Sequence, residues 1–213
     1  MLPAEIIDLE RLAETPVSEA PFRHVIVPRF VRPKTLGEVV GALPEMRGRG
    51  SYPIESLKFG QAAGDLMQAL AGAALRQAIA RKFDLDLDGA PTMITLRGNS
   101  TERDGQIHCD SVAKRVTVLL YLNPANAAWA RQEGCLRLLR GPDNLDDYAV
   151  EVPPVDGTLL VFPNGPTTWH GHKTFTGRRY VVQLNYMTND LKARAELRRH
   201  RLSALVKRLA PAA

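Results

Sequence analysis

The sequence predicts an α+β fold, mainly β: a jelly roll (double-stranded β-helix) braced by N-terminal helices and one C-terminal helix. Three observations carry this. After Pro91 the chain breaks into short apolar runs separated by Gly, Pro, Asn and Asp. The helical patterns are grouped before and after those runs, not between them. The gaps between runs are also too short for the crossovers that a parallel α/β sheet requires.

Taken in chain order, residues 22–28 (FRHVIVP) alternate enough for a strand. Thr35 is placed to cap a short helix carrying Leu36, Val39, Val40 and Leu43, stopped at Pro44. The Ala-rich run 61–82, with Leu66, Leu70, Ala73 and Ile79 on its stripe, predicts the longest helix. Strands are expected at 92–97, 105–110, 115–122, 135–139, 148–152, 158–162 and 178–187. The division that follows is a single domain over 1–213. Residues 1–90 form a mixed support, 91–189 the jelly-roll core and 190–213 a basic helix.

Composition narrows the class. A chain of 213 residues with 45% hydrophobic and 24% charged residues can bury a sizeable core, which excludes a disordered or low-complexity chain. No run approaches the roughly 18 apolar residues that cross a bilayer, so no membrane partner is expected. The N-terminus carries early acids and lacks the basic-then-apolar plan of a secretory signal. Cys109 and Cys135 are too few for a disulfide framework, which favours a cytoplasmic location. The net charge of +5 is local: residues 191–209 hold seven Lys/Arg against one Glu. That segment reads as a solvated amphipathic helix packing Leu202, Leu205, Val206 and Leu209 on the body, and nucleic acid is not an expected partner.

Chemistry concentrates in three elements of the strand-rich half. In GQIHCDSVAKR, residues two apart on an extended backbone face one side, so His108 and Asp110 converge while Cys109 points away. His170, in TTWHGHKTFTGRRYVVQLNYM, follows Asp110 by 60 residues, far enough for a jelly roll to return it beside the pair. Two imidazoles and one carboxylate on one face leave open positions on a non-haem Fe(II), whereas structural zinc wants a closed set of four. Arg179 opens the last apolar strand nine residues after His170, and a buried guanidinium there needs an anionic partner. Tyr121 on a neighbouring run and Gln183, four on from Arg179, are placed to face the same anion. Each element also has a plain structural reading: His170 and His172 as a loop packed on Trp169, Arg178 and Arg179 as exposed strand-start charges, Tyr121 as core. His24 and His200 read as structural or surface residues.

HCD, then TVLLYLN, then WHGHKTFTGRRYVVQLNYM resembles the 2-oxoglutarate and Fe(II)-dependent oxygenases, in their prolyl-hydroxylase-like branch, over residues 92–187. The resemblance implies that His108, Asp110 and His170 hold Fe(II). It implies that Arg179 and Tyr121, with Gln183 beside them, bind 2-oxoglutarate, and that ascorbate serves as reductant. It further implies hydroxylation of an unactivated C–H bond with release of succinate and CO2. An Asp in the ligand set favours hydroxylation over halogenation, since no position is vacated for chloride. Two departures stand out: His172 sits where this branch often has Val, and Arg97 where it commonly has a tyrosine. His172 is thus a rival metal ligand, with His170 favoured by its distance to Arg179. The alternatives are a cupin-type metalloenzyme that does not use 2-oxoglutarate, and a non-enzymatic jelly-roll module whose basic helix binds nucleic acid. The substrate stays open among amino acid, peptidyl residue and small metabolite. Loops 98–106 and 125–132 and the first third of the chain are expected to wall the pocket, and Arg97, Arg103, Lys114 and Arg131 favour an anionic ligand.

Overall fold

The structure, a computed structural model, describes residues 3–46, 48–125, 129 and 131–209. Its N-terminal support comprises α1 (Pro3–Ile6), α2 (Leu9–Glu14), β1 (Val25–Val27), α3 (Pro33–Gly41), β2 (Tyr52–Pro53), a 3-10 turn (Ile54–Ser56), α4 (Gln61–Ala71) and α5 (Ala73–Phe83). Helix α3 begins at Pro33, whose fixed φ suits a first helical position and whose missing N–H is not needed there. Thr35 therefore does not cap it; its hydroxyl donates to the Arg32 carbonyl at 3.0 Å.

The single helix expected over 61–82 is two. Gly72, at φ −72° and ψ 158°, closes α4 and opens α5. A glycine in a helix interior costs about 1 kcal/mol relative to alanine, so this is the cheapest place to turn. The turn lets α4 pack on α1 and α3 while α5 packs on α2.

The remaining elements are β3 (Thr92–Ser100), β4 (Lys114–Tyr121), β5 (Leu136–Leu139), β6 (Tyr148–Val152), β7 (Leu159–Pro163), β8 (His170–His172), β9 (Gly177–Met187) and α6 (Leu191–Leu209). They form the expected jelly roll. A six-stranded antiparallel sheet runs β1-β7-β4-β9-β3-β2, and a three-stranded one runs β6-β5-β8. Strand β4 shows why its sequence is a nearly unbroken apolar run. Val116, Val118 and Leu120 join the core beneath the helices, while Leu119 and Tyr121 face Leu136 and Leu138 of the smaller sheet. Both faces are covered, so polar alternation has no place there.

Two strand expectations change. Residues 105–110 are not a strand; only His108 pairs, through an isolated bridge to His170. Gly105 at φ +93° takes the chain out of extended geometry just before it. Conversely, His170–His172 is a short strand that pairs with β5.

Helix α6 lies where expected but rotated. Leu202, Leu205 and Val206 are exposed, at 61%, 57% and 55%, and Ala193 and Ala204 are buried instead. The Leu209 side chain lies outside the described residues. The reason is the polar edge that α6 covers: Lys207 donates to the Ser51 carbonyl at 2.6 Å and Arg208 to that of Glu55 at 2.6 Å. A helix that blunts the open edge beyond β2 must turn its small residues and cations inward. No helix among the described residues is long and apolar enough to cross a membrane.

This orientation has a direct consequence. Leu202→Glu should change unfolding free energy by no more than about 0.5 kcal/mol, as an exposed substitution. Ala193→Glu should cost about 3 kcal/mol or more by burying an unpaired charge, read from urea midpoints of the two variants.

Candidate metal centre

The site starts from a pair of backbone hydrogen bonds. His108 N donates to His170 O and His170 N donates to His108 O, each at 3.0 Å, so the residues face each other across an antiparallel bridge. Their ring centroids are 4.3 Å apart. Close approach of the two segments needs glycine: a Cβ on Gly171 would stand 2.8 Å from Gly105 O. Each ring has Nδ1 2.8 Å from a backbone carbonyl, Gln106 O for His108 and Thr168 O for His170. A carbonyl only accepts, so both Nδ1 atoms carry the hydrogen and both Nε2 atoms keep a lone pair.

Asp110 completes the group. Ligand atoms of His108, Asp110 and His170 all lie within 4.8 Å of one another. The Asp110 carboxylate accepts from Lys114 Nζ and from Thr117 Oγ1, both at 2.6 Å. Burial opposes its charge, but Lys114, His170 and Thr117 outweigh burial and hold its carboxyl below the ordinary range. Burial, then the neighbouring His108, pushes the His170 imidazole down, which keeps it neutral and able to ligate. Two neutral imidazoles and one charged carboxylate, clustered on one side, suit a divalent iron and leave room for other ligands. Cys109 points elsewhere, its Sγ 3.5 Å from Pro166 O.

The triad lines a cavity of about 380 Å³ whose wall also includes Tyr121, His172, Arg179 and Gln183. Arg179 on β9 is 5% exposed and forms no ion pair among the described residues. Its Nε donates to Gly134 O at 2.9 Å and its guanidinium stands 5.5 Å from the centroid of the Tyr121 ring. The Tyr121 hydroxyl is buried beside Arg179 and makes no hydrogen bond of good geometry among the described residues. Burial pushes that phenol up to about 12 and drives the Arg179 guanidinium down. A buried cation and an orphan hydroxyl on one cavity wall fit a carboxylate that accepts from both. Gln183 lies on the same strand, its amide 3.3 Å from Asn185 Oδ1.

His172 stands apart from the triad. Its Nδ1 donates to Lys173 O at 2.8 Å, and burial, with Arg179 nearby, takes its imidazole down to about 4. The cations expected to make the pocket basic are mostly neutralised. Arg97 pairs with Asp104, Lys114 with Asp110, and Arg131 with Glu133. Arg103 lines the cavity and makes no ion pair among the described residues. Of the expected walls, Ser51 and Arg103–Gln106 contribute, whereas Ala125, Trp129, Arg131 and Gln132 do not line the cavity and residues 126–128 and 130 lie outside the described residues. The sequence alone does not single out Thr117, and it places Lys114 as a pocket cation when its partner is Asp110. The spacing of four between Asp110 and Lys114 is a local signal for that pairing; Thr117 and the Gly134 carbonyl reach the site through sheet pairing and a loop.

Residues 97–187 match the model of the 2OG-Fe(II) oxygenase superfamily. Solved structures similar to the chain include a Pseudomonas putida prolyl-4-hydroxylase, at 17% identity and TM-score 0.51, covering 89% of this chain and 92% of that one. A Trichoplax adhaerens prolyl hydroxylase in complex with a hypoxia inducible factor peptide fragment is similar at 17% identity and TM-score 0.54, covering 91% of each chain. A prolyl 4-hydroxylase from Phytophthora capsici is similar at 16% and 0.54, covering 95% of this chain and 78% of that one. No curated protein matches.

The His172 environment sets a pH dependence. Its imidazole is depressed from 6.5 to about 4, so the stabilisation is complete above pH 6.5 and is lost as pH falls toward 4. Between those limits the wild type should lose about 3 kcal/mol that His172→Gln does not, measured by urea unfolding of the metal-free protein at several pH values.

Proposed function

We propose, for a chain whose residues 97–187 belong to the 2OG-Fe(II) oxygenase superfamily and which is a 2-oxoglutarate-dependent dioxygenase, that His108, Asp110 and His170 hold the iron. We further propose that Arg179 and Tyr121, with Gln183 alongside, bind 2-oxoglutarate, and that the reaction hydroxylates an unactivated C–H bond. The observation that carries this reading is the pairing of a three-donor cluster with a buried Arg179, which has no carboxylate partner among the described residues, on the wall of one cavity.

With iron and 2-oxoglutarate bound, the site supplies O2 activation: one oxygen atom enters the substrate and the other enters succinate, with CO2 released. The chain's residues do the positioning. Gln106 and Thr168 carbonyls fix the tautomer of His108 and His170, so each Nε2 is presented without a proton. Lys114 and Thr117 fix the Asp110 carboxylate and keep it ionised. Arg179, anchored by the Gly134 carbonyl, offers the rest of its guanidinium to the far carboxylate of 2-oxoglutarate, and the Tyr121 hydroxyl donates beside it. Leu119, Leu136 and Val181 give that end of the cavity an apolar wall, which excludes water and strengthens the ion pair. Arg103, at the same cavity, favours a substrate bearing an anionic group.

Two variants test the assignment. Asp110→Ala should abolish succinate release and iron retention together, since one of three ligands is gone; full turnover would exclude the triad. Arg179→Leu should raise the 2-oxoglutarate KM by about 100-fold while iron content, measured by atomic absorption, is unchanged.

A further inference from the structure

We infer that Arg97 and Asp104 are positioning residues of the metal centre: their ion pair clamps loop 101–107 and thereby sets where His108 stands. The inference rests on the metal assignment proposed above. Between Ser100, the end of β3, and His108 the chain makes no ladder hydrogen bonds, so a few fasteners decide its path. Asp104 is the main one. One of its carboxylate oxygens accepts from Arg97 Nη1, and the other accepts from Thr101 N at 2.8 Å and Thr101 Oγ1 at 3.0 Å. Gly105 O accepts from His172 N at 3.0 Å, and a Cβ on Gly105 would stand 2.4 Å from His172 O. Gln106 O then receives the His108 ring. The order along the chain is thus clamp, close contact, ring acceptor, ligand.

The clamp is itself braced. Arg97 Nη2 reaches Ser51 Oγ at 3.4 Å, and the Ser51 carbonyl accepts from Lys207 of α6 at 2.6 Å, whose ammonium lies 3.9 Å from the centroid of the Tyr52 ring. A polar relay therefore joins the C-terminal helix to the loop that delivers a metal ligand. It gives Arg97 a role that needs no substrate anion: its charge is already matched by Asp104, at side-chain exposures of 30% and 19%.

Mn(II) binding to the full-length, metal-free protein, followed by isothermal titration calorimetry without co-substrate, tests this. Asp104→Asn and Arg97→Gln should each raise the Mn(II) Kd by about tenfold, the range for groups that orient a ligand from outside the coordination sphere. The double variant should be no weaker than the worse single one, and Arg97→Lys should recover part of the loss. With Mn(II) saturating, Arg97→Lys, which keeps the charge at the cavity wall, should bind 2-oxoglutarate like the wild type, a readout that general destabilisation would not spare. An unchanged Mn(II) Kd in Asp104→Asn and Arg97→Gln, or one restored fully by Mn(II)-independent stabilisers such as sucrose, overturns the clamp. Failure of the wild type itself to bind Mn(II) overturns the metal assignment, a distinct result.

Discussion

The site depends on the reciprocal backbone hydrogen bonds between His108 and His170, which tie together chain segments more than sixty residues apart. Side chains alone do not hold two imidazoles at 4.3 Å; an antiparallel bridge does, because it fixes both Cα positions and both Cβ directions. The bridge in turn needs Gly105 and Gly171, where any side chain would force the segments apart. From that one contact follow the direction of the Nε2 lone pairs, the place of Asp110 two residues on, and the mouth of the cavity. The supporting helices and the larger sheet act chiefly as the frame that keeps these two loops in register.

Two buried guanidiniums show how the molecule separates structure from chemistry. Arg137 on β5 is 1% exposed and fully answered: Glu151 accepts from it at 2.7 Å, Asp146 pairs with it, and its guanidinium lies 4.2 Å from the centroid of the Tyr148 ring. Arg179 on β9 is similarly buried and has one backbone carbonyl and no carboxylate among the described residues. An isolated buried cation is expensive, and the lack of a counter-charge among the described residues is what supports the proposed carboxylate against Arg179. The orphan hydroxyl of Tyr121 beside it carries the same message.

The basic C-terminal helix gives the chain its high pI and yet is not simply a charged outer face. Its cations do two things: Lys207 and Arg208 cap carbonyls at the edge beyond β2, and the remainder are solvated. The helix also meets the metal side of the molecule through Ser111, whose hydroxyl donates to Glu196 at 2.6 Å, and through a small cluster of Ala113, Met187 and Ala193. Edge protection and loop support are thus supplied by one element, and net charge is a poor guide to its role.

The sequence by itself determined the alternating and doubly buried strands, the grouping of helices around them, and the residue types of the triad with its distant arginine. Those properties are local: they follow from periodicity, from spacing two apart, and from the chemistry of each side chain. Tertiary structure alone decided the rest. It chose His170 over His172 for the cluster, because the bridge to His108 sets the His170 ring directly beside the His108 ring. It split 61–82 at Gly72, since two separate partners for α4 and α5 outweigh helix propensity. It rotated α6 away from its own apolar stripe, because the carbonyls at a sheet edge needed donors more than leucines needed cover. It also paired Arg97 with Asp104 across the turn that follows β3, a partnership that spacing alone does not signal. Hydrophobic periodicity reports what one segment wants, whereas polar partnership is settled only when distant segments meet.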